Sequence, residues 1–422
     1  MSIREHITGM EDVRVVDEPV DPDLGITPYL KEDQTRPVIF ENVAGSRLIG
    51  NLWSTRDRIA ASFNTDREAL VHHIAKALAS PVEPEMVDDP EVLSHSTEDV
   101  DLSTLPIPRF YAGDGGPYIT GGVVVGEWEG ARNVSFHRLM VSGERTAVAR
   151  LVPRHLYAMH KAAMAEGKDL PIAVVIGACP PVLIAAASSI GYGDDELKLA
   201  AGLRNLAWNE PIQVTTLPGS GLTVPAVAEY ILEGRLTSAT APEGPFVDIT
   251  GTVDGVREQP VVEIDRIYHM PEPIFHAILP GGFEHYMMMG LPKEPLIHRS
   301  VGAVVPKVRA VRLTEGGCCW LHAVVSIRQQ KEGDAKNAML AAFAGHASLK
   351  RVVVVDEDVD PFDDRAVEWA LATRFQADVD IMVVEGARGS SLDPSAEGTT
   401  TKLGLDATVS PEKDRTKFEM VE

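Results

Sequence analysis

Two carboxylates five residues apart stand in Pro242-Glu243-Gly244-Pro245-Phe246-Val247-Asp248, where two prolines and a glycine limit backbone freedom. Beside a buried arginine, one would stay ionised in a salt bridge while the other moves a proton. A surface turn is the plain alternative. Asn133-Val134-Ser135-Phe136-His137-Arg138 is a second unusual stretch, where Asn, His and Arg interrupt a strand-like run. Asn133 and Arg138 differ by an odd number, so an unbulged strand would turn them to opposite sides, toward two sites rather than one. An exposed strand edge would explain the same residues.

His155 follows Pro153 at a helix start, where the dipole disfavours imidazolium and leaves the neutral, metal-binding form. A lone histidine is more often structural. Asp194-Asp195-Glu196 follows a small-residue turn, Ser188 to Gly193, and offers helix caps or ligands. Asn133, His155 and Glu196 together would be an O/N/O set better suited to Mn or Mg than to zinc. Spacing alone does not make them converge.

Common signatures are missing. The chain has no GxxxxGK[ST] loop, no GxGxxG after a strand, no HExxH and no GxSxG. Gly113 to Pro117 is glycine-rich but reads only as a loop. Cys179, Cys318 and Cys319 form no CxxC pair and read as core, with Cys318-Cys319 opening a buried strand.

The elements that must position these residues fall into three textures. Residues 1–104 read as an α/β segment, with Thr65 to Glu68 as a capping box before an apolar face of Leu70, Val71, Ile74 and Leu78. Residues 105–305 are β-rich. Strands are predicted at Ile119 to Val125, Ala147 to Val152, Ile172 to Ile176 and Val261 to Tyr268, with helices at Arg154 to Glu166 and Pro225 to Glu233. Residues 306–422 alternate: strand Cys319 to Ile327, helix Ala335 to Phe343, strand Val352 to Val355, helix Arg365 to Thr373, strand Ile381 to Val384. The Gly/Ser/Thr/Pro-rich tail from Gly386 reads as a segment that docks elsewhere or stays mobile. The whole is a mixed α/β and β chain.

With 422 residues, two or three domains are expected. Lysine and arginine total 39 against 62 acidic residues, a net charge of −23 that disfavours nucleic acid and anionic membranes. No apolar run suits a membrane span or a signal peptide, so a cytoplasmic protein is expected.

Eight segments in order resemble the UbiD family of decarboxylases: NVSFHR (133–138), VPRHLYAMH (152–160), ASSIGYGDDE (187–196), VPAVAEYILEG (224–234), TAPEGPFVDITG (240–251), VVVVDEDVD (352–360), WALATRF (369–375) and TKLGLDAT (401–408). The resemblance implies a central split β-barrel domain that binds prenylated FMN. It also implies reversible, non-oxidative decarboxylation of an α,β-unsaturated or aromatic acid, in which the cofactor bonded to the substrate accepts the charge left by CO2. It implies Asn133, His155 and Glu196 as ligands of a divalent metal, usually Mn, that ties the flavin phosphate to the protein. A monovalent cation such as potassium would sit at Thr120 and the Ser188, Ser189, Ile190 turn. Arg138 would orient the substrate carboxylate or the network, Glu243 would hold Arg138, and Asp248 would protonate carbon. His346 lies near a basic phosphate contact of relatives; Lys402 lies in a matched segment without an assigned role.

Residues 274–298 fall on the substrate side, where His276, Phe283, His285 and Met287 to Met289 would line a pocket or pack a core. The compact chain resembles archaeal members proposed to decarboxylate trans-anhydromevalonate phosphate toward isoprenoids. A hydroxybenzoate-type substrate is the alternative, and a non-catalytic flavin-binding or assembly protein the reading from another class. A homo-oligomer, dimer or hexamer, and a separate flavin prenyltransferase as cofactor supplier are also implied.

Overall fold

The computed structural model describes residues 2–418 and divides into two compact units, 1–288 and 289–422. The first unit is built on a nine-stranded sheet. Its order is Tyr118–Ile119, Leu139–Val141, Thr146–Ala149, Arg257–His269, Tyr230–Glu243, Leu170–Ile176, Gly122–Trp128, Ala131–Phe136, with His95–Thr97 added against Arg257–His269. All its pairings are antiparallel. The sheet is open in the described residues, since its two end strands do not pair with each other. Ile172, Val174, Ile176, Leu232, Val262 and Ile264 fill the core with Leu156 and Met159 of helix His155–Ala165.

The two long strands bend where their register slips, at Glu233/Gly234 and Leu236/Thr240. A Cβ on Gly234 would stand 2.0 Å from the Glu263 carbonyl oxygen, so only glycine lets the strands close there. The bend continues Tyr230–Glu243 to its last residue, which is Glu243 itself. A smaller sheet of Arg14–Val16, Val38–Val43, Ser46–Gly50 and Ile274–His276 gathers the N-terminal residues.

The second unit has one five-stranded sheet, ordered Val308–Leu313, His322–Ile327, Arg351–Asp356, Thr399–Ala407, Ile381–Arg388. Parallel pairs lie at its centre, with helices Asp334–Gly345 and Asp364–Arg374 between strands. The mixed α/β class is as expected.

Several predicted elements differ. Pro225 to Glu233 is not a helix: Thr223–Pro225 and Tyr230–Glu243 are strands. Tyr230, Ile231 and Leu232 are paired on both sides and buried, and a continuous apolar run satisfies either period. The capping box does not form. Its helix is Leu70–Ala79, and Asp66 instead accepts from the Ala69 amide at 2.8 Å. Cys318 and Cys319 have positive φ values of 59° and 46°, and the strand starts only at His322. Ile119 to Val125 is broken between Ile119 and Gly122, where a Cβ on Gly121 would meet the His276 carbonyl at 2.4 Å. Of the two readings of the tail, docking holds for Thr399–Ala407, which pairs with Arg351–Asp356 inside the sheet. No described helix is long and apolar enough to cross a membrane.

Candidate active site

Strand Ala131–Phe136 ends before His137, so Arg138 lies in the short connection to Leu139–Val141. From there its guanidinium meets three carboxylates. Nε and Nη2 donate to the two oxygens of Glu243, each at 2.9 Å; Nη1 donates to Asp248 Oδ2 at 2.7 Å, and Nη2 also to Asp254 Oδ2 at 2.9 Å. Four of the five donors of a guanidinium are thereby committed. The Phe246 ring lies 4.4 Å from the guanidinium carbon, and the Tyr118 ring packs on Phe246 at 4.5 Å.

Glu243 is fully buried and also accepts from the Tyr118 hydroxyl at 3.2 Å. Burial, with the Glu243 charge beside it, raises the Tyr118 phenol, which therefore stays a donor. Burial works against the Arg138 charge, but Glu243, Asp248 and Asp254 outweigh it and raise its proton affinity. Asp248 is held once by Arg138 and keeps a side chain 17% exposed, whereas Glu243 is held twice. Its second oxygen accepts from the Ile249 amide at 2.6 Å.

The loop before Tyr118 closes on this cluster. The Gly115 amide donates to the Pro245 carbonyl at 2.8 Å, and a Cβ on Gly115 would stand 2.3 Å from the Gly244 carbonyl oxygen. Glycine is required there by contact, not by phosphate binding. His285 is buried; burial lowers its proton affinity while the charge of Asp248 opposes the fall. Its Nδ1 accepts from the Gly281 amide at 3.1 Å, which puts the ring proton on Nε2.

A second cluster lies at the other end of the same segment. Glu196 opens helix Glu196–Trp208, where Asp195 is the N-cap and accepts from the Leu197 amide. The Glu196 carboxylate, 3% exposed, accepts from Asn133 Nδ2 at 3.0 Å and the Val134 amide at 2.9 Å. These donors are neutral, and Arg132 next door is engaged by Glu127 and Asp195. Desolvation pushes the Glu196 carboxyl up to about 7. The His155 ring meets Tyr192 edge-on at 5.4 Å, four residues before Glu196.

Ser135 Oγ lies 2.8 Å from Asn133 Oδ1 and 2.9 Å from His137 Nε2. Burial holds His137 near a pKa of about 4, hence neutral, and its Nδ1 faces the Arg150 carbonyl at 3.0 Å. The Ser135 hydroxyl donates to Asn133 Oδ1.

Asn133 and Arg138 thus join different clusters, but strand alternation is not the reason, since Arg138 lies beyond the strand. Thr120 Oγ1 accepts from the Ile278 amide at 3.1 Å, and Ser188 Oγ donates to the Ile184 carbonyl at 2.8 Å. In the second unit, His346 packs on Trp320 at 4.5 Å with Nε2 at 3.2 Å from its carbonyl. Lys402 there donates to the carbonyls of Ala347 at 2.7 Å and Leu349 at 2.5 Å, which gives it an evident structural use. Met287 and Met288 are core. His276 is buried and pairs with Glu284 at 2.8 Å. Sequence reasoning missed Asp254, Tyr118 and Phe246. Asp254 follows a hairpin turn, and only the pairing of Phe246 with Asp254 brings it to Arg138.

Known proteins match this arrangement along nearly all of the chain. Three family models match: the 3-octaprenyl-4-hydroxybenzoate carboxy-lyase N-terminal domain over residues 5–78, its Rift-related domain over 85–283 and its C-terminal domain over 286–407. An anhydromevalonate phosphate decarboxylase of Methanosarcina mazei is 47% identical over 93% of this chain and 92% of its own. The protein of that description from Methanothermobacter thermautotrophicus is 45% identical over 97% of each. The solved UbiD-class enzyme HmfF from Pelotomaculum thermopropionicum, in complex with FMN, superposes with a TM-score of 0.96 at 35% identity, covering 100% of this chain and 97% of that one. The chain belongs to the UbiD family of carboxy-lyases.

Proposed function

We propose that this enzyme decarboxylates trans-anhydromevalonate 5-phosphate, a step toward isoprenoids, with prenylated FMN as cofactor. The observation that carries the reading is the Arg138 guanidinium fixed between Glu243 and Asp248 in a buried cluster. The substrate follows from the anhydromevalonate phosphate decarboxylases at 41–47% identity. A gallate decarboxylase at 30% identity supports the aromatic alternative less strongly. The cofactor follows from HmfF structures holding FMN and prenylated FMN.

Prenylated FMN, when bound, supplies the electron sink that an alkenyl carbon needs on losing CO2. The chain's own residues do the rest. Arg138 uses its remaining donor to orient the substrate carboxylate by a charge-assisted bond. Glu243, bonded at both oxygens, keeps the guanidinium from turning. Asp248 is the proton donor: it is the less tightly held of the pair and is partly open.

The metal fits the Glu196 cluster. A buried carboxylate whose donors among the described residues, Asn133 Nδ2 and the Val134 amide, are both neutral is a site short of positive charge. Asn133 and Glu196, with His155 as the third ligand that the family resemblance implies, would hold Mn or Mg and so offset the repulsion between an acidic chain and a flavin phosphate. Five residues of chain, at most roughly 17 Å, join this cluster to Arg138, so one elongated ligand would engage both. Thr120 and the Ser188, Ser189, Ile190 turn would take a monovalent cation, and His346 would contact phosphate. The split barrel, the division at 1–104, 105–305 and 306–422, a homo-oligomer and a flavin prenyltransferase supplier belong to the same reading.

The test is co-expression with a flavin prenyltransferase, mass spectrometry of the released small molecule, a metal assay, and CO2 release from trans-anhydromevalonate 5-phosphate under anaerobic conditions. Prenylated FMN, Mn and CO2 are expected. No binding of authentic prenylated FMN on reconstitution would overturn the cofactor. CO2 from hydroxybenzoates alone would overturn the substrate.

A further inference from the structure

Asp254 is bonded to Arg138 but has no part in the reaction described above. Its Oδ2 accepts from Arg138 Nη2 at 2.9 Å, its Oδ1 accepts from Arg257 Nη1 at 2.6 Å, and Arg150 Nε lies 3.8 Å from Oδ2. Burial opposes its charge, but the Arg257 bond and the Arg138 charge outweigh it and hold the carboxyl below the usual carboxylate range. Asp254 is therefore an anion among three arginines.

The hairpin Phe246–Val247 with Val253–Asp254 places it there, pairing Asp254 with the Phe246 whose ring lies against the guanidinium. Phe246 limits movement of the guanidinium across its plane. Asp254 takes the second Nη2 hydrogen and limits rotation within the plane. We propose that Asp254, backed by Arg257, is a positioning residue for decarboxylation, holding Arg138 on Glu243 and balancing the charge that Asp248 meets. The proposal rests on the roles of Arg138 and Asp248 given above.

The charged and titratable groups around the cluster come from every neighbouring element. They are Arg138, Glu243, Arg150 and Arg257, with Tyr118, Asp114 on the preceding loop and His285 on helix Phe283–Gly290. Removing the Asp254 charge leaves three arginines less compensated and favours the carboxylate form of Asp248 over the acid. Removing the Arg257 charge does the reverse. Opposite signs from two neutralising substitutions are a signature that simple loss of packing does not produce.

Asp254→Asn and Arg257→Gln, with Asp254→Glu as the conservative variant, are compared with wild type in flavin-loaded enzyme. In Asp254→Asn the alkaline limb of kcat against pH should move down by about one pH unit; in Arg257→Gln it should move up by about half a unit, since that side chain is 44% exposed and screened. Asp254→Glu should return toward wild type. In flavin-free protein, phenylglyoxal modification of Arg138, followed by peptide mass spectrometry, should be about tenfold faster in Asp254→Asn, the equivalent of one charge-assisted hydrogen bond.

Limbs that do not move, or that move in the same direction, overturn the proposal. If Asp254→Asn fails to fold, Arg257→Gln decides alone, and an unmoved limb overturns the proposal. If wild-type protein binds flavin yet releases no CO2, the assigned reaction has failed. The modification rates then decide the Asp254 proposal, which unchanged rates overturn.

Discussion

The Arg138 cluster and the Glu196 cluster stand at opposite ends of one six-residue segment and handle buried charge in opposite ways. Around Arg138, cations and carboxylates answer one another within the chain. Around Glu196, a buried carboxylate meets, among the described residues, the neutral Asn133 amide and the Val134 backbone N–H, and desolvation raises its carboxyl to about 7. Buried charge is costly unless paired. The first cluster is complete as folded and is suited to hold a fixed array for proton transfer. The second is left uncompensated by any charged donor among the described residues, which is why it is the place proposed for a divalent ion.

Four experiments would break or sharpen this contrast. The largest effect is expected from Arg138→Leu, which strands three carboxylates. Denaturant unfolding should show a loss of about 3–5 kcal/mol, and CO2 release should vanish. A loss under about 1 kcal/mol would mean that the cluster is not internally compensated as drawn. Next, Asp248→Asn should keep flavin and fold but lose turnover by about 10²–10⁴-fold, the usual contribution of a general acid. Full turnover would remove Asp248 as the proton donor.

At the other cluster, wild-type protein should gain thermal stability with Mn, about 2.7 kcal/mol at a hundredfold excess over its dissociation constant. Glu196→Gln should be no less stable without metal and should show none of that gain. A full Mn response in the variant would move the metal elsewhere. The smallest effect concerns His137, between the clusters. Its folded pKa is lowered from 6.5 to about 4, so its stabilising contribution is complete above the unfolded value of 6.5 and is lost as pH falls toward about 4. The drop in Tm between neutral and mildly acid solution should therefore be smaller in His137→Gln. An identical drop would show that His137 is not held neutral by burial.

Much of the site was legible because its residues lie in short segments whose types are unusual for their setting. Glu243 and Asp248 drew notice because prolines and a glycine restrained them, and Arg138 because it interrupted an apolar run. Helix His155–Ala165 began within a residue of where Pro153 predicted it. Asp254 gave no such signal, because an acid after Gly251-Thr252-Val253 looks like any turn residue. Pro225 to Glu233 misled for a different reason: an apolar stretch buried on both faces has no polar side to reveal its period.

The linear chain by itself determined the charge balance, the family, and which residue types were available for proton transfer and metal binding, since these depend on identity and local order. Only the tertiary structure decided which of them meet. A sheet joins residues distant in sequence through backbone pairing, and pairing register is set by what packs on each face. That is why Asp254 reaches Arg138 and why the Thr399–Ala407 tail became a strand within a sheet, whereas packing of helix Glu196–Trp208 on strand Ala131–Phe136 brings Glu196 to Asn133 across 63 residues.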